Sequence, residues 1–167
     1  MCHIITSRLE IHPMRMEEWP DILEIFSDFE SSPESIYDYP LPTTKSEARK
    51  QVEVWSESGY FYSVCLKGSS EAIGYLCFCG DQVREMGYSF KKKVRGKGYA
   101  LEAAKEMLDQ MKKMGVTLFR AEIAEENLPS VNLVQKLGFY QTGTKYHLFR
   151  KETGKEEKCG VFEKEVK

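Results

Sequence analysis

The stretch from Tyr88 to Met114, YSFKKKVRGKGYALEAAKEMLDQMKKM, limits most sharply what this chain can fold into. Gly87-Tyr88-Ser89-Phe90 is short, aromatic and inclined to strand. From Ala100 the apolar residues fall at 100, 101, 103, 104, 107, 108, 111 and 114, the helical period. Gly96 and Gly98 therefore sit where a strand ends and a helix begins. The first turn of a helix carries N–H groups without intrahelical partners and the positive end of the helix dipole. Glycines allow a ligand to approach that backbone closely, so the turn suits a phosphate or pyrophosphate. Lys91, Lys92, Lys93, Arg95 and Lys97 reinforce the sign. The stretch is neither of two common phosphate loops. No Gly-x4-Gly-Lys-Ser/Thr string exists, and Gly96-x-Gly98 is followed by Leu101 where a dinucleotide fingerprint needs a third small residue.

The chain has 167 residues, enough for one domain (1–167) with a real core, and 41% hydrophobic against 30% charged content is ordinary for a globular protein. No apolar run approaches membrane-spanning length and the N-terminus lacks a signal-peptide pattern, so a cytoplasmic protein without membrane association is expected. Cys2, Cys65, Cys77, Cys79 and Cys159 show no Cys-x-x-Cys spacing and read as reduced thiols. His3, His12 and His147 are scattered, so no metal site is expected.

A net charge of −2 argues against general nucleic-acid binding, and the aromatics lie mainly in an acidic stretch, the wrong sign for stacking bases. The charge is polarised along the sequence. Met16 to Thr44 holds eight acidic residues and no Lys or Arg, whereas Arg84, Lys91, Lys92, Lys93, Arg95 and Lys97 face only Glu85 in their segment. A basic end suits an anionic cofactor and an acidic end a cationic amine. Glu17 to Glu24 reads as the wet face of a helix over Met16–Phe29. The loop beyond, Glu30 to Thr44, carries three prolines, and its Tyr37, Asp38 and Tyr39 make an aromatic, acidic pocket for a cation.

Ile4 to Met14 reads as one strand. Thr44 opens a helix to about Ser58 as its N-cap, with Glu47 three residues on and Gly59 ending it. Tyr60–Leu66, Ile73–Cys79 and Val83–Phe90 read as an antiparallel meander running into the glycine turn. After the long helix come a strand over Leu118–Ala124, a helix begun by Pro129 and ended by Gly138, a strand from Phe139, and a closing hairpin whose last strand lies near Cys159–Lys164.

Arg95-Gly96-Lys97-Gly98-Tyr99-Ala100 resembles the acyl-CoA loop of the GNAT superfamily of N-acetyltransferases, Arg/Gln-x-x-Gly-x-Gly/Ala. Asn127-x-x-Ser130 followed by Lys136-Leu137-Gly138-Phe139 resembles the same family's next motif. Thr6 to Pro13 and Glu85-Met86-Gly87-Tyr88-Ser89 look like the RimJ/RimL branch, which contains ribosomal-protein N-terminal and spermidine acetyltransferases. The resemblance covers about residues 6 to 145. It implies an α+β fold, a single domain with a mixed, mostly antiparallel twisted sheet flanked by about four helices. It also implies acetyl-CoA as co-substrate and direct transfer to a primary amine of a protein N-terminus or small molecule, without a metal.

On the same basis Phe90, Lys91 and Lys92 are the cofactor-strand residues, with a backbone N–H polarising the thioester carbonyl. Arg95, Gly96, Lys97, Gly98, Tyr99 and Ala100 hold the pyrophosphate, and Asn127 and Ser130 contact the cofactor from the far wall. Glu85 is the candidate base and Ser130 the candidate acid. Many family members place a tyrosine five positions before the Gly-Phe phenylalanine as the acid, but this chain has Val134 there. That departure leaves open a second class, a non-catalytic acyl-CoA-binding module. An exposed sheet edge allows a homodimer.

Overall fold

Twelve regular elements follow one another from Ile4 to Glu165. They are β1 (Ile4–Ile5), β2 (Leu9–Pro13), α1 (Trp19–Glu30), α2 (Lys45–Ser58), β3 (Phe61–Leu66), β4 (Ala72–Cys79), β5 (Val83–Phe90), α3 (Tyr99–Lys113), β6 (Leu118–Ala124), α4 (Leu128–Lys136), β7 (Tyr140–His147) and β8 (Glu157–Glu165). The computed structural model describes residues 3–167, so Cys2 lies outside the described residues. The strands form one sheet in the order β1-β2-β3-β4-β5-β6-β8-β7. All neighbours are antiparallel except β5 and β6. Four α-helices flank this mixed, mostly antiparallel sheet, as the sequence predicts.

The predicted first strand, Ile4 to Met14, is two strands. Thr6 breaks it: its N–H donates to the Leu9 carbonyl, and its hydroxyl oxygen accepts the Leu9 N–H at 2.9 Å. The chain reverses there, and Ile4 pairs with Ile11 across the turn. α2 begins at its expected cap, since the Thr44 hydroxyl accepts the Glu47 N–H, and ends at Gly59.

Both faces of the sheet are covered. Ala103, Ala104, Met107, Leu108 and Met111 of α3, with Val134 of α4 and Leu137 just after it, pack on Leu9, Ile11, Val64, Phe78 and Phe119. On the other side Ile22, Ile25 and Phe26 of α1 and Ala48 and Val52 of α2 pack on Cys65, Ala72 and Tyr75. β3 consequently has a buried run, Tyr62 to Cys65, where a one-sided strand would alternate.

The acidic stretch is a wet face only in part, since Glu17 and Glu24 are exposed while Glu18 and Asp21 are drawn inward. Glu18 is buried and accepts from the Ser63 hydroxyl at 2.6 Å, and its other oxygen lies 3.2 Å from His12 Nε2. Asp21 and Glu24 reach Lys91 Nζ at 3.0 and 2.7 Å, and Glu71 reaches it at 3.0 Å. The acidic and basic segments read as serving two different ligands therefore partly neutralise each other. The reason is topological: α1 lies against β4 and the end of β5, so charges 70 residues apart in sequence meet.

The connector from Ser31 to Thr44 holds a short 3-10 turn over Pro33–Tyr37. Arg150 fastens it. Its guanidinium donates to both Glu30 carboxylate oxygens at 2.8 and 2.9 Å, to the Ser35 carbonyl at 2.7 Å and to the Asp38 carbonyl at 3.1 Å.

Candidate active site

β5 and β6 are paired only at Val83–Glu85 with Leu118–Arg120. Beyond that point each strand follows a different neighbour. β5 stays on β4 as far as Phe90, while β6 from Ala121 to Ala124 lies along β8. The two strands part, and a cleft of ≈ 860 Å³ opens between them. Met86 to Phe90 and Ala121 to Ala124 line its sides. The Gly98–Leu101 turn of α3 and residues 127–130 at the start of α4 form one end, and Ser32, Glu34, Tyr37 and Asp38 from the connector reach the other.

The backbone along this cleft is unpaired by construction. The Lys91 N–H donates to the Ile73 carbonyl at 2.8 Å. Hydrogen-bonded pairs alternate along an antiparallel ladder, so Ser89 also faces β4 while Tyr88 and Phe90 turn their N–H and C=O groups toward the parted side. The Phe90 carbonyl accepts from Arg95 Nε at 3.0 Å. Gly74 leaves room for this end of β5: a Cβ there would lie 2.3 Å from the Phe90 ring.

At the helix end, Gly96 and Gly98 have φ of 76° and 82°, the left-handed region that a side chain strains to adopt. No side chain caps α3. Its first N–H groups have no intrahelical partner and point into the turn. Arg8 clamps the same turn from β2's side, donating to the Lys97 carbonyl at 2.8 Å and to Glu102 Oε2 at 2.6 Å, and lying 4.6 Å over the Tyr99 ring. The turn is thus preset for an anion, with a guanidinium beside it.

Phe90, Arg95, Gly96, Gly98, Tyr99, Ala100, Asn127 and Ser130 all border the cleft, together with Tyr37 and Asp38. The exposed Lys97 side chain does not line it. Two of the cofactor-strand expectations require correction. The Lys91 side chain is fully buried against Asp21, Glu24 and Glu71, and its N–H is held by Ile73. The Lys92 N–H donates to Asp28 at 2.8 Å and its side chain lies outside the cleft. Neither N–H therefore faces the cleft; on β5 the N–H groups that do are those of Tyr88 and Phe90.

Glu85 sits in the last paired position of β5, opposite Arg120, at the closed apex of the wedge and exposed. It does not line the cleft that Ser130 borders, because the strands separate only after it. Tyr39 also stands outside the cleft, its ring packed edge-on against Phe149 with centroids 4.9 Å apart.

Sequence reasoning missed three side chains at the site. Tyr88 reaches across the cleft, and its hydroxyl lies 2.8 Å from Ser130 Oγ. Glu122 on β6 receives His147 Nε2 at 2.8 Å and Lys145 Nζ at 2.7 Å, both from β7. Burial pushes the Glu122 pKa up, and these two partners outweigh it and hold the carboxyl below the usual range. Arg8 is the third. Of these, only Tyr88 left a signal, since strand alternation puts it on the face of Met86 and Phe90. Asp38 differs from Glu122. Asp38 is exposed at the surface, yet neighbouring chain desolvates its carboxyl enough to raise its pKa, partly countered by the Tyr39 N–H that donates to Oδ1 at 2.7 Å. Val134 is fully buried on the cleft wall, so an apolar group stands where a hydroxyl was expected from the family pattern.

Residues 8–140 match the acetyltransferase (GNAT) domain family. An uncharacterised N-acetyltransferase, YnaD, of Bacillus subtilis (strain 168) is 28% identical over 149 residues, covering 84% of each chain. The ribosomal-protein-S5-alanine acetyltransferase of Vibrio fischeri superposes with a TM-score of 0.84 at 16% identity, over 99% of this chain and 97% of that one. RimL, a ribosomal L7/L12 alpha-N-protein acetyltransferase solved with coenzyme A, gives 0.81 at 15% identity, over 98% and 97%. No helix among the described residues is long and apolar enough to cross a membrane. With its parted β5 and β6, its uncapped glycine turn and this match over most of its length, the chain belongs to the GNAT acetyltransferases.

Proposed function

We propose that the protein transfers an acetyl group from acetyl-CoA to a primary amine, of a protein N-terminus or a small molecule, by direct attack with both substrates bound. The observation that carries this reading is the parting of β5 from β6 beside the uncapped N-terminus of α3. The pyrophosphate rests on the N–H groups of the Gly96–Ala100 turn, and the pantetheine arm pairs with the open edge of β5. The thioester carbonyl accepts from a β5 N–H, which stabilises the oxyanion as the amine attacks. Asn127 faces the cofactor from the start of α4. The amine enters from the Tyr37–Asp38 side, where Glu34, Asp38 and Glu122 set a negative field.

An ammonium must lose a proton before it attacks. Asp38 is the carboxylate we assign to that step in place of Glu85, because it borders the cleft, which Glu85 does not, and its pKa is raised. The C–N bond forms as the C–S bond breaks, the thiolate leaves, and the amine proton passes through Asp38 to solvent. The alternative, a module that binds acyl-CoA without chemistry, draws on the apolar Val134. Asp38 and Ser130 at the same cleft favour the enzyme.

Thiol release from acetyl-CoA, followed against a panel of amines and N-terminal peptides, tests the reading. One acceptor class is expected to turn over. Acetyl-CoA binding without release for any amine would support the binding module. Asp38→Asn is expected to lower kcat by about a hundredfold or more, the usual range for losing a positioned base. In the wild type kcat/KM should fall as pH drops through the raised Asp38 pKa, because only the carboxylate form accepts the proton. An unchanged pH profile in Asp38→Asn would remove it from this role.

A further inference from the structure

The contact between Tyr88 and Ser130 joins two elements 42 residues apart, across the cleft where the two strands have parted. Ser130 stands in the first turn of α4, a position where a serine hydroxyl commonly turns back to the backbone. Here, among the described residues, its hydrogen bond is to the Tyr88 phenol. Tyr88 comes from the cofactor strand, with Met86 and Phe90 on either side of it on the same face. The other phenol at this end, Tyr99, lies under Arg8. One turn along α4, Val134 offers no hydroxyl. The hydroxyls at this wall are therefore a linked pair.

We infer that Tyr88 is a positioning residue for the leaving thiolate: it donates its hydrogen bond to Ser130 Oγ, which leaves the serine proton free to point into the cleft at the coenzyme sulfur. This inference rests on acetyl-CoA being the donor. The direction of the hydrogen bond follows from chemistry. A phenol O–H is a stronger donor than an aliphatic hydroxyl, so in this 2.8 Å contact Tyr88 donates to Ser130 Oγ, and burial keeps the phenol protonated. A serine that accepts from the phenol must send its own proton elsewhere, and the open direction is the cleft. When the tetrahedral intermediate collapses, the C–S bond breaks and its electron pair stays on sulfur. The Ser130 hydroxyl stabilises that charge by hydrogen bonding, and the thiolate is protonated from solvent after release. Tyr88 itself transfers no proton, which its raised pKa would make unfavourable. The pair replaces one tyrosine acid with a two-hydroxyl chain that orients a donor.

Tyr88→Phe removes one oxygen and keeps the ring. Losing one buried hydrogen bond predicts a fall in kcat of roughly three- to tenfold with KM for acetyl-CoA nearly unchanged. Ser130→Ala should fall at least as far, and the double variant no further than Ser130→Ala, since the two act as one unit. A second readout needs no acceptor amine. In the complex with coenzyme A the thiol should ionise at lower pH in the wild type than in Tyr88→Phe or Ser130→Ala, followed by thiolate absorbance. Thermal melting of each variant shows that it is folded, and Ser130→Ala serves if Tyr88→Phe is not. Equal thiol titration in wild type and variants, or fully additive losses in kcat, would overturn the inference while leaving the donor assignment standing. A wild type that binds no coenzyme A would remove the donor assignment and this inference with it.

Discussion

Lys91 shows how a residue can be central to the site without touching it. Its ammonium is enclosed by Asp21, Glu24 and Glu71, which tie α1 and the start of β4 to the end of β5. Burial alone would lower its pKa, but the three carboxylates outweigh that and hold it above the usual lysine value. Lys91→Met keeps the length and removes the charge, leaving three carboxylates facing one another. Breaking a buried ion pair costs ~3–5 kcal/mol, and because these carboxylates are partly exposed the expected loss is about 2–3 kcal/mol, measured by chemical denaturation. The sign with pH follows from the shifts. The raised Lys91 pKa keeps its contribution intact below the lysine range and loses it only as pH climbs through the folded-state value. The Glu71 pKa is lowered, by Lys93 and then Lys91, so its contribution is lost as pH falls through that lowered value. The gap between wild type and variant should be widest at neutral pH and narrow in acid; a gap constant with pH would refute the ion cluster. In the sequence Lys91 is one of a basic run beside a phosphate turn, and that run hides it. Nothing local separates the lysine that meets acids 20 and 70 residues away from those that meet solvent.

Among the elements, legibility tracked how local the cause was. The bounds of β5 and β6 and the N-terminus of α2 were readable, because alternation, a threonine cap and a terminating glycine act within a few residues. The split of the first strand was not, since it depends on Thr6 bonding back to Leu9. The loop before α3 was readable from its glycines, but its clamp was not. Arg8 reaches it from the turn before β2, some 90 residues earlier, and Arg8 then pairs with Glu102 one turn into the helix. The pair is exposed, so it adds little to global stability. Its effect belongs to the turn, which it holds in the shape that presents N–H groups to an anion. Arg8→Ala should raise KM for acetyl-CoA roughly three- to tenfold, the worth of one such hydrogen-bonded anchor, with kcat nearly unchanged and melting temperature little moved. A normal KM would show that the turn holds its shape unaided.

At the scale of the whole molecule the site is a product of strand order. β8 lies between β6 and β7, so β6 is drawn along β8 while β5 stays with β4, and the cleft is the space left between them. The same order sets β7 beyond β8, from where His147 and Lys145 reach Glu122. The turn before α3 was legible because glycines and basic residues mark it within one segment. The far end of the cleft is assembled from the connector and β6, and only Tyr37 and Asp38 of it were visible beforehand. The central claim is that the turn from Arg95 to Ala100 holds the diphosphate of acetyl-CoA. Isothermal titration of acetyl-CoA into the wild type and Gly98→Glu tests it most directly. At Gly98, where φ is 82°, a glutamate strains the backbone and sets a negative charge at the helix start. The account predicts saturable one-site binding to the wild type and at least a roughly tenfold loss in the variant. No binding to the wild type, or equal binding to both, would contradict it.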